Sequence, residues 1–376
     1  ALPPSHLALG AGDIVRLPSK AGPTLARIDR VEVMEHQVID AVRIEPDVYN
    51  PATDTEEGAS LRPFTPAVPV TPVFLDLPLI TGDEVEHAPH LALTAEPWPG
   101  SVAVYDAAQD ADYSLNGLFA ARSVIGVTET PLLPGKLGLI DRGEPLQVRL
   151  ASGSLQSIPD EAFLAGGNLF AIGDGSPNTW ELFQFRDVQL LSEDRWLLSH
   201  RLRGQLGSDA LMQPVWPAGS IIVALDGAPA QIALAAAQRR LNRHYRIGPA
   251  KRSYDHETYT HLEHAFDGNG LRPYSPAHLR VRDLGGDLHI QWVRRTRIEG
   301  DSWELYDVPL GEDQERYLLR VRQGESVIRE VEVAQPEWVY TAGQRTADGL
   351  TGSFEIAVAQ ISGRYGPGPF KVTHYA

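Results

Sequence analysis

The sequence contains no cysteine, which excludes thiolate metal sites, thiol nucleophiles and disulfide bonds. It also contains no run of about 18 uninterrupted apolar residues, so we expect no membrane span. The G-x-S-x-G nucleophile elbow, the Walker loop and the H-E-x-x-H zinc motif are all missing. These absences leave the redox compartment open, and no motif in the chain points to a reaction.

Positive charge is scarce, because 49 acidic residues face 33 basic residues and the formal net charge is −16. No basic arm occurs, and Arg294, Arg295 and Arg297 form the densest basic patch. Such a surface repels nucleic acid, so we expect no specific nucleic-acid binding. The 29 proline and 34 glycine residues instead suit a mainly β protein with many turns.

The 376 residues are enough for several domains. Residues 1–49 contain about three short strands, which we interpret as the end of a domain whose body lies upstream. The proline-dense stretch Pro46–Pro72 predicts a linker over residues 50–72 without regular structure. Residues 73–272 predict a β-rich middle domain with one or two short helices, and residues 277–376 predict a final, separate domain.

Four local patterns in the middle domain give specific predictions. Leu146–Leu150 and Ser154–Ile158 read as a hairpin, and Asp226-Gly227 is a second hairpin signal. Pro159 is expected to open a short helix that ends at Gly166-Gly167. Ala230–His244, rich in Ala and Leu, is the best helix candidate.

The last hundred residues predict one independent β-sandwich. Short alternating runs separated by turn residues favour a sandwich over a helix bundle. These runs are His289–Arg295 around Trp292, Arg316–Arg322 around Tyr317, Val327–Val333 and Ser353–Ile361. We expect Trp292 in the core of this domain, and a terminal sandwich is typical of binding or spacer modules.

Several segments in order along the chain resemble one family, the large tail-tip or baseplate hub proteins of siphophage-like particles. The resemblance is greatest to the version encoded by bacterial gene transfer agents, a host-specificity or phage tail protein. The segments are GDIVRL near Asp13, PVFLDLPLITGDEVEHAPHLAL from Pro72, EPWPGSVAVY from Glu96, FQFRDVQLLSEDRWLLSHRLRGQLGSD from Phe183, RHYRIGPA from Arg243, WVRRTRIEGDSWE from Trp292 and VAQISGRYGPGPF from Val358.

The resemblance implies a hub at the tail tip of a phage-like particle, a homotrimer on a three-fold axis, with a fibronectin type III-like domain at its end. It implies contacts with other tail-tip or baseplate proteins and with a host surface glycan. Full proteins of the family carry an upstream barrel that resembles glycoside hydrolases. This chain matches only their C-terminal part, so residues 1–49 would be the end of a hub domain and no barrel chemistry is carried over.

Two clusters have residue types that bind metals. His261, Glu263 and His264 form the densest group: His261 and Glu263 would share a face on a strand, whereas His261 and His264 would share one on a helix. His87 and His90 follow several carboxylates, but Pro89 breaks the helix that would align them. Hydrogen-bonded surface polar groups explain both clusters better. We therefore expect no structural metal, no cofactor and no catalytic residues.

The sequence favours an architectural tail-tip component that is not an enzyme. The alternative is an accessory, carbohydrate-binding portion of an envelope enzyme that processes glycans. Trp98 and Trp216 beside prolines could stack on sugars, but they are also ordinary lids over sandwich ends. We expect the first segment to lie nearest the central hub and the final sandwich farther from it.

Overall fold

The structure, a computed structural model, describes residues 1–20, 22–49, 67–300 and 306–376. Antiparallel strands dominate and the helices are few and short, so the mainly β fold class is confirmed. The chain forms two compact units, Ala1–Phe64 and Thr65–Ala376, each described by itself. Within the described ranges no helix is long and apolar enough to cross a membrane.

The first unit is a small antiparallel sheet with its three strands in sequence order. The strands are β1 (Ile14–Leu17), β2 (Thr24–Val33) and β3 (Gln37–Arg43). They lie where the alternation predicts them. In the described part of this unit only Ala26, Ile28 and Gln37 are buried, whereas Met34 is 73% exposed. Such a sheet is too small to be stable alone.

The predicted linker has regular structure at both of its ends, so the expectation of an irregular segment is wrong there. Pro46–Tyr49 forms a short 3-10 helix, and proline is tolerated in a first helical turn. Strand β4 (Thr71–Leu75) begins before Pro72. It pairs along one edge only, where a missing proline N–H costs no ladder bond. Residues 50–66 lie outside the described residues.

The middle region contains β4 and twelve further strands together with one α-helix. In chain order these are β5 (His90–Thr94), β6 (Val102–Ala107), β7 (Ser114–Phe119), β8 (Ile125–Thr128), β9 (Leu146–Leu150), α1 (Asp160–Leu164), β10 (Leu169–Gly173), β11 (Trp180–Ser192), β12 (Arg195–Leu202), β13 (Ile221–Ala224), β14 (Ala230–Gln231), β15 (Arg243–Pro249) and β16 (Thr260–His264). Short 3-10 turns at Gln205–Leu211, Ala236–Gln238 and Asn269–Leu271 complete it.

These strands form three layers. The small sheet β14-β5-β4 lies in the centre, and every residue of β5 is buried. One of its faces packs Phe74 and Leu91 against the sheet β16-β15-β6-β7. The other face packs Val73 and Leu75 against a closed barrel of six strands. Burial on both faces explains why β5 reads as a continuous apolar run.

The barrel has the strand order β10-β11-β12-β9-β8-β13. Large side chains, among them Phe170, Phe183, Phe185, Trp196 and Leu198, fill its interior and form one buried cluster. Its closure leaves no free strand edge, and this explains two wrong predictions.

Both predicted hairpins fail for this reason. Ser154–Ile158 is not a strand, because both edges of β9 are already paired with β8 and β12. Asp226-Gly227 does form a turn, with Gly227 at φ +90°. However, β13 pairs with β10 and β8, so the chain after the turn joins the central sheet instead. The short helix after Pro159 is confirmed as α1.

The predicted helix Ala230–His244 is also wrong. This segment contains β14, a 3-10 turn and the start of β15. Ile232 and Leu234, two positions apart, both point into the core and are 3% and 8% exposed. Side chains at this spacing share one face only when the backbone is extended. The side chain of Asn116 holds Ala233 extended, because its amide accepts from the Ala233 N–H and donates to the Ala233 carbonyl. Packing thus overrides the helix propensity of alanine.

The described residues of the range 277–376 form a sandwich with a three-stranded and a five-stranded sheet. The strands are β17 (Ala277–Leu284), β18 (Asp287–Val293), β19 (Tyr317–Gln323), β20 (Ser326–Val333), β21 (Glu337–Tyr340), β22 (Phe354–Ser362), the short β23 (Gly366–Pro367) and β24 (Lys371–Tyr375), with helix α2 (Ala342–Ala347) after β21. The sheets are β17-β18-β21 and β20-β19-β22, with β23 and β24 both paired to β22, a fibronectin type III-like arrangement.

Trp292 occupies the core of this sandwich, as predicted. It is 4% exposed, and its ring meets that of Tyr317 edge to face with centroids 5.0 Å apart. The core of the sandwich contains only residues of β17 to β24 and the loops between them. Whether it folds independently stays a prediction, since it shares one compact unit with the middle region.

Candidate functional site

The structure separates His264 from the other two metal candidates, His261 and Glu263. In β16 the side chains of His261 and Glu263 point outward, whereas His264 points inward against Phe74, with ring centroids 5.4 Å apart. Burial lowers the pKa of His264. His261 stacks on His244, and their Nε2 and Nδ1 atoms are 3.1 Å apart. No cluster of three or more potential metal ligands occurs in the part of the chain that the structure describes.

The second histidine pair and the loop tryptophans are also engaged in packing. The Nε2 atom of His87 lies 2.9 Å from the Leu234 carbonyl, and His90 is buried. Trp216 is 2% exposed, and its indole N–H donates to Glu181 at 2.7 Å. Trp98 packs against the core of the central layers. Trp216 therefore offers no open ring face for a sugar, whereas Trp98 is half-buried.

The most developed polar site lies where the sandwich meets the middle region, and we call it the coupling site. Glu86 from the middle region accepts hydrogen bonds from Arg297, at 2.8 Å, and from Arg364, both in the sandwich. Burial opposes ionisation of Glu86, but these two arginines outweigh it and lower its pKa. The side chain of Arg297 is itself buried and also pairs with Glu312 at 3.3 Å.

Tyr365, next to Arg364, is the second contact of the coupling site. Its hydroxyl donates to Asn269 Oδ1 at 3.0 Å, and Arg240 lies over its ring at 5.0 Å. Arg240 also donates to the Tyr365 carbonyl at 3.0 Å. The tyrosine is therefore held on its ring, its hydroxyl and its backbone, which fixes the loop between β22 and β24.

A third contact involves the arginine patch noted in the sequence. Arg295 donates to Asp209 at 2.8 Å and lies over the Tyr274 ring at 5.2 Å. Arg294 bonds the Val308 carbonyl at 2.8 Å. The three arginines are thus paired within the protein.

Asp76 stabilises the turn at Gly268 and Asn269, which contacts Tyr365 of the coupling site. Its carboxylate accepts from the amides of Gly268 and Asn269, at 2.8 and 2.7 Å, and Asn269 in turn bonds Tyr365. Asp76 is 2% exposed. Burial raises the pKa of Asp76 from 3.8 to about 6, although hydrogen bonds from the Asn269 and Gly268 amides oppose the shift.

This raised pKa predicts a pH-dependent stability. Between pH 4 and 6 the folded protein binds one more proton at Asp76 than the unfolded chain does. The contribution of Asp76 is therefore fully present below its unfolded pKa and is lost as pH rises through about 6. The difference in unfolding free energy between wild type and Asp76→Asn should fall by about 2 kcal/mol from pH 4 to pH 7. Urea denaturation at both pH values measures it, and a pH-independent difference would contradict it.

Sequence reasoning missed the buried ion pair in the barrel. Arg203 and Glu181 have fully buried side chains and form two hydrogen bonds, at 2.7 and 2.8 Å. Arg201 is also buried, because His200 adopts a φ of +53° and the strand alternation changes there. One sequence feature indicated this ion pair. The alternating strand Arg195–Leu202 is followed directly by Arg203, and Arg201 stands near its end, where a polar turn would be expected.

Among solved structures, the rat CD45 extracellular region, domains d3–d4, is 14% identical with a TM-score of 0.21, covering 31% of this chain and 54% of that chain. The chicken CNTN1 FN1–FN3 domains are 10% identical with a TM-score of 0.20, covering 82% of this chain and 99% of that chain. At TM-scores this low, neither structure supports an inference about the fold or function of this chain. The search of curated proteins returned no match. A family model described as "Rcc01698-like, C-terminal" matches residues 123–223, which coincide with the closed barrel from β8 to β13.

Proposed function

We propose that the chain is a structural component of a phage-like tail tip or baseplate, acting in the hub of a gene transfer agent or a related siphophage-like particle. The observation that carries the proposal is the family-model match over the whole barrel, since the family is associated by name with gene transfer agents. The resemblance of segments outside the barrel, from Asp13 to Phe370, supports the same assignment.

The geometry of the coupling site suits an architectural role. Three of the resembling segments supply its side chains. Glu86 lies in the segment that begins at Pro72, Arg297 in the segment from Trp292, and Arg364 with Tyr365 in the segment from Val358. Buried or half-buried ion pairs of this kind fix one arrangement of two neighbouring bodies. The sandwich would therefore be carried as a rigid extension of the middle region.

We further propose that the chain assembles as a homotrimer and contacts other tail-tip proteins. The exposed apolar side chains of the first sheet, among them Ile14, Val33 and Met34, support an assembly surface there. The net charge of −16 suits a component near a DNA path, because an acidic surface does not retain DNA. Contact with a host surface glycan belongs to the same proposal.

The proposal includes neither enzymatic activity nor a cofactor for this chain. The alternative, a carbohydrate-binding accessory of a glycan-processing enzyme, was motivated by loop tryptophans. Trp216 is buried and Trp98 packs on a core, so no observation now favours that alternative.

Immunogold labelling of intact particles tests the proposal. Antibodies against residues 67–376 should place gold at the free end of the tail, and the same antibodies preabsorbed with the purified chain should not. Gold on the capsid, or no gold on intact particles, would count against a tail-tip role.

A further inference from the structure

The loop between β8 and β9 exposes three leucines close together. Leu133 is 59% exposed, Leu137 is 45% exposed and Leu139 is 58% exposed. Residues 131–140 read PLLPGKLGLI, and Lys136 is the one charged residue among them. We call this segment the leucine loop. Single exposed leucines are ordinary, but three within seven residues concentrate apolar surface in one short loop.

The first end of the leucine loop is held firmly to the barrel. Leu132 is buried and exchanges backbone hydrogen bonds of 2.8 and 2.9 Å with Trp216. The carbonyl of Leu133 accepts from the buried Arg203. Gly135 lies directly on the Arg203 side chain, where an added Cβ would be 2.7 Å from Cγ. Only glycine fits at this position.

The second end is held by the other buried arginine. Asp141 and Arg201 exchange backbone hydrogen bonds of 2.7 and 3.0 Å, and their side chains pair at 2.9 Å. Arg201 also donates to the Glu144 carbonyl at 2.8 Å. Because both ends are fixed, the leucines are displayed by a defined structure. A loop positioned by a rigid scaffold in this way is typical of a binding element.

Charge distinguishes the leucine loop from the rest of the surface. The chain has a net charge of −16 and only four lysines, and Lys136 is one of them. No carboxylate occurs in residues 131–140, and Asp141 is neutralised by Arg201. The exposed Leu190 and Leu191 on β11 are instead followed by Glu193 and Asp194. An anionic surface would repel most of this protein but not the leucine loop.

We propose that the leucine loop is a membrane-surface contact, which inserts Leu133, Leu137 and Leu139 at the acyl boundary of an anionic lipid bilayer. Lys136 lies among them, and its ammonium reaches the headgroup phosphates while its stem covers apolar surface. The contact is interfacial and involves no span. This contact goes beyond the proposed function. It can be tested separately, because binding of the purified chain to vesicles is measured without any particle.

Vesicle flotation with the purified full chain tests this inference. The wild type should float with phosphatidylglycerol-containing vesicles at low salt. The variant with Leu133, Leu137 and Leu139 all changed to Ser should bind at least about tenfold more weakly, because the apolar contact is lost. Lys136→Glu should weaken binding roughly tenfold on anionic vesicles and leave binding to purely zwitterionic vesicles unchanged.

A matched control is available on β11 of the barrel and on the neighbouring helix α1. Leu164, Leu190 and Leu191 are 70%, 56% and 45% exposed, and changing all three to Ser should leave flotation unaltered. Circular dichroism and melting checks that each variant is folded. Absence of wild-type flotation at low salt, or an equal loss in the control, would overturn the proposal. So would a leucine-loop variant that keeps its vesicle binding and changes only its oligomeric mass, since that result identifies a contact between copies.

Discussion

Replacing Glu181 by Ala is expected to lower the free energy of unfolding by about 3–5 kcal/mol. The Arg203 and Glu181 side chains are both completely inaccessible to solvent, and Glu181 also accepts from the Trp216 indole and the Gly204 amide. Without the carboxylate a guanidinium stays buried and unneutralised, and two N–H donors lose their acceptor. Urea denaturation of the full chain, followed by tryptophan fluorescence, measures the loss.

An exposed ion pair of the same barrel provides the control. Glu129 pairs with Arg195, whose side chain is 45% exposed, and Glu129→Ala should cost less than about 1 kcal/mol. The double variant Glu181→Leu, Arg203→Met removes both charges and should be more stable than Glu181→Ala alone. A Glu181→Ala protein as stable as the Glu129→Ala protein would show that the buried pair does not have this role.

Replacing Trp292 by Ala should lower the free energy of unfolding by about 3–5 kcal/mol, because the removed ring leaves a cavity. Trp292 is 4% exposed and packs edge to face on Tyr317, so the cavity lies between the two sheets of the sandwich. Val293→Ala, at a neighbouring position that is 52% exposed, is the control and should change stability by less than about 0.5 kcal/mol. A Trp292→Ala protein that melts within a degree or two of wild type would refute this assignment.

Alternation along the chain was sufficient to predict β18, β19, β20 and β22 of the sandwich and the three strands of the first sheet, but not β17, β21, β23 or β24. In β18, Leu288, Ile290 and Trp292 are buried on one face, and this period of two is visible in the sequence. Local patterns failed where pairing is decided by distant strands. Ser154–Ile158 has the composition of a hairpin partner, but the edges of β9 are taken by strands far from it in sequence.

Ala230–His244 shows a second kind of failure. Its alanines favour a helix, but Ile232 and Leu234 fill the core between two sheets only when the chain is extended. Asn116, more than a hundred positions earlier, provides the backbone partner. No local property of the segment reveals this contact.

The coupling site was only partly visible in the sequence. The patch around Arg295 was noted as the densest basic cluster, but its partners Glu86 and Asp209 lie far from it in sequence. Residues that form ion pairs only in the folded structure follow no fixed spacing in the sequence. His261 and His264 had the opposite problem: their spacing is suggestive, but a strand directs their side chains to opposite faces.

The most direct test of the tail-tip assignment is a reconstruction of the particle by electron cryomicroscopy. We expect density for the closed barrel and its attached sandwich at the tip of the tail, in three copies around the tail axis. Absence of this density from the tip, or its presence there in six or more copies, would contradict the account.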